Sequence, residues 1–179
     1  ENMSREELIE LGARTLCGPR YHSKGNRSDR EAVAEAVARI GPDVLRADAE
    51  PDLAFEKIAK SKAAIGRLIM DQSVMAGVGN IYRSEILWRQ AVHPETPGSA
   101  VSRQTFDRIW KDARALLKIG VKRNAIITVD GASPSTKRYR ERVNIFAKDY
   151  CPKCKGAIRR FEISGRRAFV CETCQPLIK

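Results

Sequence analysis

Apolar residues recur at helical spacing through most of this chain. The clearest run is 103–119, where Phe106, Ile109, Trp110, Ala113, Leu116 and Leu117 repeat near every 3.6 residues and predict an amphipathic helix. Ser102 can cap its start, Val101 can staple onto Phe106, and Gly120 reads as its stop. Ile58, Ile65, Leu68 and Ile69 predict a helix from Phe55 to about Met70. Ile81, Ile86 and Leu87 predict another from Ile81 to about Ala91, closed by Pro94 and Pro97. Upstream, Ser28 and Glu31 form a capping box that opens a helix with an apolar face of Val33, Ala36, Val37 and Ile40, ended by Gly41-Pro42. Residues 4–16 carry a weaker helical pattern behind a second capping box, Ser4 and Glu7. Residues 17–28 read as loop and 46–52 as polar linker. Beyond residue 130 the pattern changes. A basic loop over 130–140 gives way to alternating runs at Ile158–Ile163 and Arg167–Val170, which predict a hairpin. The expected fold is mainly α, followed by a small β element.

At 179 residues with 42% hydrophobic content, the chain suits one medium domain or two small ones with a real core. No stretch approaches the ~20 apolar residues that span a bilayer, and no secretory signal is visible in the polar, acidic opening residues. The chain starts at Glu1 and not at Met, so a preceding segment is expected. Net charge is +11, which favours polyanionic partners. The excess is concentrated in Pro134–Lys179, with twelve Lys or Arg against four Asp or Glu; a merely solvated basic face is the alternative.

The cysteines narrow the chemistry. Cys151 and Cys154 form one CxxC, Cys171 and Cys174 another, and sixteen residues separate the pairs. That spacing matches a structural zinc site: each CxxC places two thiolates on one side of a tight turn, and two turns at the base of a hairpin complete a tetrahedron. Four cysteines leave no open coordination position, so the Zn²⁺ is expected to be structural. Two disulfides would need an oxidising compartment, which nothing else in the sequence supports. Cys17 reads as a plain thiol. Arg159, Arg160, Arg166 and Arg167 lie on the hairpin between the pairs. Arg166 follows the Ser164-Gly165 turn and can project from the tip, either into a nucleic-acid groove or simply into solvent.

The segment MDQSVMAGVGNIYRSEILW (70–88) is the second informative stretch. Gly77 and Gly79 permit positive φ and close backbone approach. Asn80 stands at the N-cap position of the following helix, whose free N–H groups and dipole can receive a phosphate. An ordinary helical corner with Asn as its cap explains the same residues.

With IGRLIMDQSVMAGVGNIYRSEILW in view, the chain resembles the formamidopyrimidine-DNA glycosylase/endonuclease VIII family, which carries a helix–two-turn–helix and a C-terminal zinc finger. GPDVL (41–45) resembles the family's "GPDPL" segment, and the order of features agrees over roughly 28–176. The resemblance implies that Asn80 and Arg166 contact the phosphates flanking a lesion. It extends DNA contact to Lys62, a weaker match, and to Gly79, Arg83 and Arg167. It turns Glu85 toward the catalytic centre. The sequence RSEILW looks closer to the endonuclease VIII branch, which favours oxidised pyrimidines. The implied organisation is a remnant of a preceding catalytic domain (1–27), a helix–two-turn–helix domain (28–129) and a basic loop with the finger (130–179). The implied partner is double-stranded DNA with a damaged base or abasic site, bound by a monomer in a bacterial cytoplasm at the nucleoid, with no membrane.

Family members use an N-terminal proline amine to displace the base and a neighbouring glutamate as the acid, then cut the strand as lyases. This chain opens Glu1-Asn2-Met3, and Thr15–Pro19 resembles the end of the catalytic domain's last strand. The expectation is a fragment of a glycosylase that is inactive by itself. The alternatives are a naturally short, non-catalytic DNA-binding protein and an RNA-binding zinc-ribbon protein. Ahead of the finger the family's "VYGR" is replaced by Ile145-Phe146-Ala147-Lys148, with a shorter link to the first cysteine.

Overall fold

The computed structural model describes Glu7, residues 27–135 and residues 138–178. The helix expected over 4–16, Cys17 and the strand remnant at 15–19 lie outside the described residues, Glu7 excepted. The chain divides into two compact units, Glu1–Gly41 and Pro42–Lys179. In the first, α1 spans Arg27–Ala38, so Ser28 falls inside the helix and not at the expected cap position. Val33 alone of its predicted apolar face is buried; Ile40 is exposed.

The second unit contains α2 (Pro51–Ala59), α3 (Ile65–Leu68), α4 (Asn80–Arg89), α5 (Arg103–Arg123), β1 (Arg159–Ile163) and β2 (Arg166–Val170). The single helix expected over 55–70 is therefore two. Pro51 opens α2 within its first turn, where a missing N–H is harmless. The break at 60–64 arises because this backbone bonds to the Pro94–Ala100 loop instead of to itself. Gly98 N donates to Ala63 O (2.9 Å), Ser99 N to Ser61 O (2.8 Å) and Ile65 N to Thr96 O (2.8 Å). Tertiary hydrogen bonds override a continuous helical pattern here.

One core joins the four helices of this unit. Ile58, Ile65, Leu68 and Ile69 from α2–α3, Ile86 and Leu87 from α4, and all six predicted positions of α5 are buried in it. Ser102 caps α5 as its sequence suggests, its Oγ accepting from Thr105 N (3.2 Å). Gly120 does not stop the helix, which runs on to Arg123 and ends on Asn124 in the left-handed conformation (φ 46°). The glycine serves packing instead: a Cβ there would collide with the hydroxyl of Tyr82 on α4.

The predicted hairpin is present, but its burial does not alternate: on β2 Arg166 and Arg167 are exposed while Ala168, Phe169 and Val170 are all buried. β1 and β2 pair antiparallel with Ile163 opposite Arg166. Ser164 (φ 51°) and Gly165 (φ 74°) form the two-residue turn whose twist suits a tight hairpin. A second apolar cluster joins the finger to the helices: Ile158, Phe169, Cys151 and Cys171 pack with Ile145 and with Trp88 of α4. Buried Gln175 clasps the finger to the loop after α4, accepting from Cys171 N (3.0 Å) and donating to Val92 O (2.8 Å).

Candidate metal centre and nucleic-acid interface

The turn ahead of α4 is built by three side chains. Asp71 accepts from Ser73 N (2.9 Å) and Ser73 Oγ (2.6 Å), and these hydrogen bonds hold its carboxyl below the usual range. Gln72 spans the turn, donating to Met70 O (3.0 Å) and Val78 O (3.1 Å) while accepting from Gly77 N (2.9 Å). Gly77 takes φ 97°, the conformation expected of it. The Pro42–Val44 segment forms an isolated bridge alongside, with Ala76 N donating to Pro42 O (3.0 Å) and Val44 N to Ala76 O (3.3 Å).

Gly79 and Asn80 depart from expectation. Gly79 is extended (φ −105°, ψ 180°), and nothing stands within 4 Å of where its Cβ would be. No fold-internal constraint demands glycine there. Asn80 is the first residue of α4 and its side chain caps nothing. Its Nδ2 instead donates to the backbone oxygen of Arg167 (3.2 Å), and its Oδ1 accepts from Arg83 Nη2 (2.5 Å). The same Arg83 Nη2 reaches Arg167 O (2.8 Å). One finger carbonyl therefore accepts from two residues of the helix N-terminus.

Arg83, expected among the DNA contacts, is 0% exposed. Its guanidinium faces carbonyl and amide oxygens, with no carboxylate among its described bonds, and its buried Nε has no partner. Burial, reinforced by nearby Arg166, lowers its pKa to about 10, so it remains a cation at neutral pH. Arg166 and Arg167 have exposed side chains at the hairpin tip, Arg166 next to the turn. Lys62 is exposed on the link between α2 and α3 and is not part of this hydrogen-bonded group.

Glu85, expected to face a catalytic centre, is completely buried. Its Oε1 accepts from Ile145 N and Phe146 N (both 2.8 Å). Its Oε2 accepts from Asn144 N (2.7 Å), Asn144 Nδ2 (3.0 Å) and Thr128 Oγ1 (2.5 Å). The carboxylate thus organises the segment leading into the finger, where charge-assisted bonds are strong.

The four cysteine sulphurs all lie within 4.8 Å of one another, with Cys151–Cys174 at 3.8 Å and Cys154–Cys171 at 3.3 Å. Thiolates about 2.3 Å from a tetrahedral Zn²⁺ stand about 3.8 Å apart, so the residues fit that ion. Four thiolates this close repel one another, so a bound dication is what lets them form together. The cluster is a structural zinc site with a complete protein ligand set.

The formamidopyrimidine-DNA glycosylase H2TH domain matches residues 40–131. The chain belongs to the formamidopyrimidine-DNA glycosylase/endonuclease VIII family. It is 43% identical over 153 residues to endonuclease 8 1 of Mycobacterium tuberculosis, covering 82% of this chain and 57% of that protein. It is 32% identical over 157 residues to formamidopyrimidine-DNA glycosylase of Chloroflexus aurantiacus, covering 82% and 54%. The structure of Lactococcus lactis Fpg in complex with abasic-site DNA superposes with a TM-score of 0.68 at 26% identity, over 83% of this chain and 56% of that one. The chain thus spans little more than half the length of these relatives. The family's enzymes are DNA glycosylases, and the hairpin, cysteine cluster and helical turn of this chain reproduce their C-terminal architecture.

Sequence reasoning found the cysteines, the turn and the tip arginine. It missed Gln72, Trp88 and Gln175, and the roles of Arg83 and Glu85. A charged residue on each side of Ser84, inside a helix otherwise rich in apolar residues, was the available signal that α4 is buried on every side.

Proposed function

We propose that this chain grips damaged DNA for a base-excision-repair glycosylase/AP lyase of the endonuclease VIII type. Asn80, with the exposed Gly79 backbone, and Arg166, with Arg167, are the two jaws that take the lesion-flanking phosphates, and Lys62 adds an outlying contact. Residues 28–129 form the helix–two-turn–helix part and 130–179 the finger part. The observation that carries the reading is the Arg167 carbonyl accepting from both Asn80 (3.2 Å) and Arg83 (2.8 Å), which pins the hairpin tip to the helix N-terminus. Arg83 acts as a buried strut that adds positive potential without needing to touch DNA. The open space over Gly79 admits a phosphate where a side chain would intrude. The relatives named above support a partner that is double-stranded DNA with a damaged base or abasic site. The higher identity to endonuclease 8 supports oxidised pyrimidines as its lesions.

The family's catalytic proline and glutamate are assigned to its N-terminal catalytic domain, outside the C-terminal architecture reproduced here, and Glu85 is fully engaged. These residues therefore bind without cutting, and borohydride should trap no covalent adduct between them and abasic-site DNA. Binding should weaken steeply with salt. Asn80→Ala and Arg166→Ala should each weaken binding to an abasic-site duplex by about 1–3 kcal/mol, measured by fluorescence anisotropy. Two variants that bind like the parent would refute the phosphate clamp.

A further inference from the structure

The metal site has a donor that lies outside the finger. Trp88 stands at the C-terminal end of α4, buried, with its indole Nε1–H pointing at Cys151 Sγ at 3.3 Å. An indole N–H is a donor only, and a buried one needs an acceptor. Here the acceptor is a metal-ligating sulphur. The exposed Lys153, inside the first CxxC, places its ammonium 4.2 Å from the centroid of the same ring. The ring therefore sits between a cation and a thiolate, donating through its edge to one and offering its face to the other. Four thiolates around one dication leave a net charge of about −2, so donors and cations close to the sulphurs stabilise the loaded site.

We propose that Trp88 is an outer donor of the zinc site: its N–H holds the Cys151 thiolate, so that helix α4, and not the finger alone, sets the affinity and electronic character of the bound metal. Asn80 and Arg83 occupy the other end of the same helix and bond to the same hairpin. The finger is thus fastened to α4 twice, once through a backbone carbonyl and once through the metal's own ligand. Metal occupancy and the geometry of the tip arginine are coupled through one rigid element. The chemistry at stake is a hydrogen bond to a ligand atom. Substitution of such partners in metal sites changes affinity by about 10–100-fold.

Two measurements test it. In the protein loaded with a spin-half cadmium isotope in place of zinc, the Trp88 indole proton should show scalar coupling to the metal through the sulphur, and the Trp110 indole proton should not. This needs no substitution and so no assumption about folding. Trp88→Phe keeps the ring and removes the donor. Its zinc affinity, measured by competition with a chromogenic chelator, should fall about tenfold or more. In its cobalt-loaded form the sulphur-to-metal charge-transfer band should move to lower energy, because a thiolate without its donor releases charge more readily. A packing role alone would leave the band where it is. No indole–metal coupling, or a Trp88→Phe protein with the parent's affinity and band, overturns the proposal.

Discussion

The helical region and the finger are stabilised in different ways, although α4 serves both. The helices of Pro42–Lys179 close over a core that runs from Val44 to Leu117 and includes Phe106, Ile109, Ile86 and Met75, all completely buried. That core is self-sufficient in the ordinary hydrophobic sense. The finger buries Cys151, Ile158, Ile163, Ala168, Phe169, Val170 and Cys171, and its cluster borrows Trp88 and Ile145 from outside the hairpin. So few apolar side chains cannot offset the ordering of some thirty residues, about 1–2 kcal/mol each for backbone alone. Metal supplies the difference. One region is specified by the spacing of apolar residues along its helices, the other by four sulphurs and a docking surface.

The sharpest way to break this contrast is to remove the metal. Structural zinc contributes about 10–16 kcal/mol of apparent binding energy at neutral pH. Chelation, or Cys151→Ser, should therefore collapse the dispersed amide resonances of Arg159–Val170 while those of Arg103–Arg123 stay in place. A finger that keeps its dispersion without metal would show that docking on α4 suffices.

Glu85 lies on the seam between the regions and should rank next. Glu85→Ala leaves the N–H groups of Asn144, Ile145 and Phe146 without their acceptor. At about 1–3 kcal/mol for each buried group left unsatisfied, the loss should be about 3 kcal/mol or more, read by chemical denaturation. Glu85→Gln retains an acceptor and should recover part of it. An alanine variant as stable as the parent would mean that water replaces the carboxylate and that the seam is loose.

Gly120→Ala tests the helical core from the side that sequence rules get backwards. Alanine is favoured over glycine inside a helix by about 1 kcal/mol. Here the new methyl would strike the Tyr82 hydroxyl, and overpacking of this kind costs about 1–3 kcal/mol. The expected result is net destabilisation by thermal denaturation, and reversal by a second change, Tyr82→Phe, which deletes the clashing oxygen.

The two regions also differed in how far they could be read in advance. The stripe of α5, its Ser102 cap, the two CxxC turns and the Ser164-Gly165 hairpin were legible because each is local: a period, a cap or a turn encoded within a few residues. α4 was not legible in the same way. Every residue from Tyr82 to Trp88 is buried, including Arg83, Ser84 and Glu85, because the helix packs on the core with one face and on the finger with the other. A helix buried all round has no stripe to detect, and its buried Arg83 and Glu85 reach partners more than forty positions away. For the same reason Asn80 read as a cap, when its side chain bonds to Arg167, 87 positions on. The division of 55–70 into two helices was hidden likewise, since Pro94–Ala100 supplies the competing hydrogen bonds.

The smallest effect should confirm that the two regions fail separately. Ser102 caps α5 at an exposed helix start, far in sequence from the finger, its Oγ accepting from Thr105 N. Ser102→Ala leaves that N–H to solvent and should destabilise the protein to denaturant by about 1 kcal/mol. α5 shares its core with α4, so a continuous mechanical link to the metal site exists. If that link transmitted stability, zinc affinity would fall together with the denaturation midpoint. The finger, however, is fixed through Trp88, Gln175 and the Arg167 carbonyl, none of which depends on the first turn of α5. Zinc affinity should therefore stay at the parent's value while stability drops. A variant that lost both would show that helices and finger melt as one cooperative body, and the distinction between a core-stabilised and a metal-stabilised region would have to be given up.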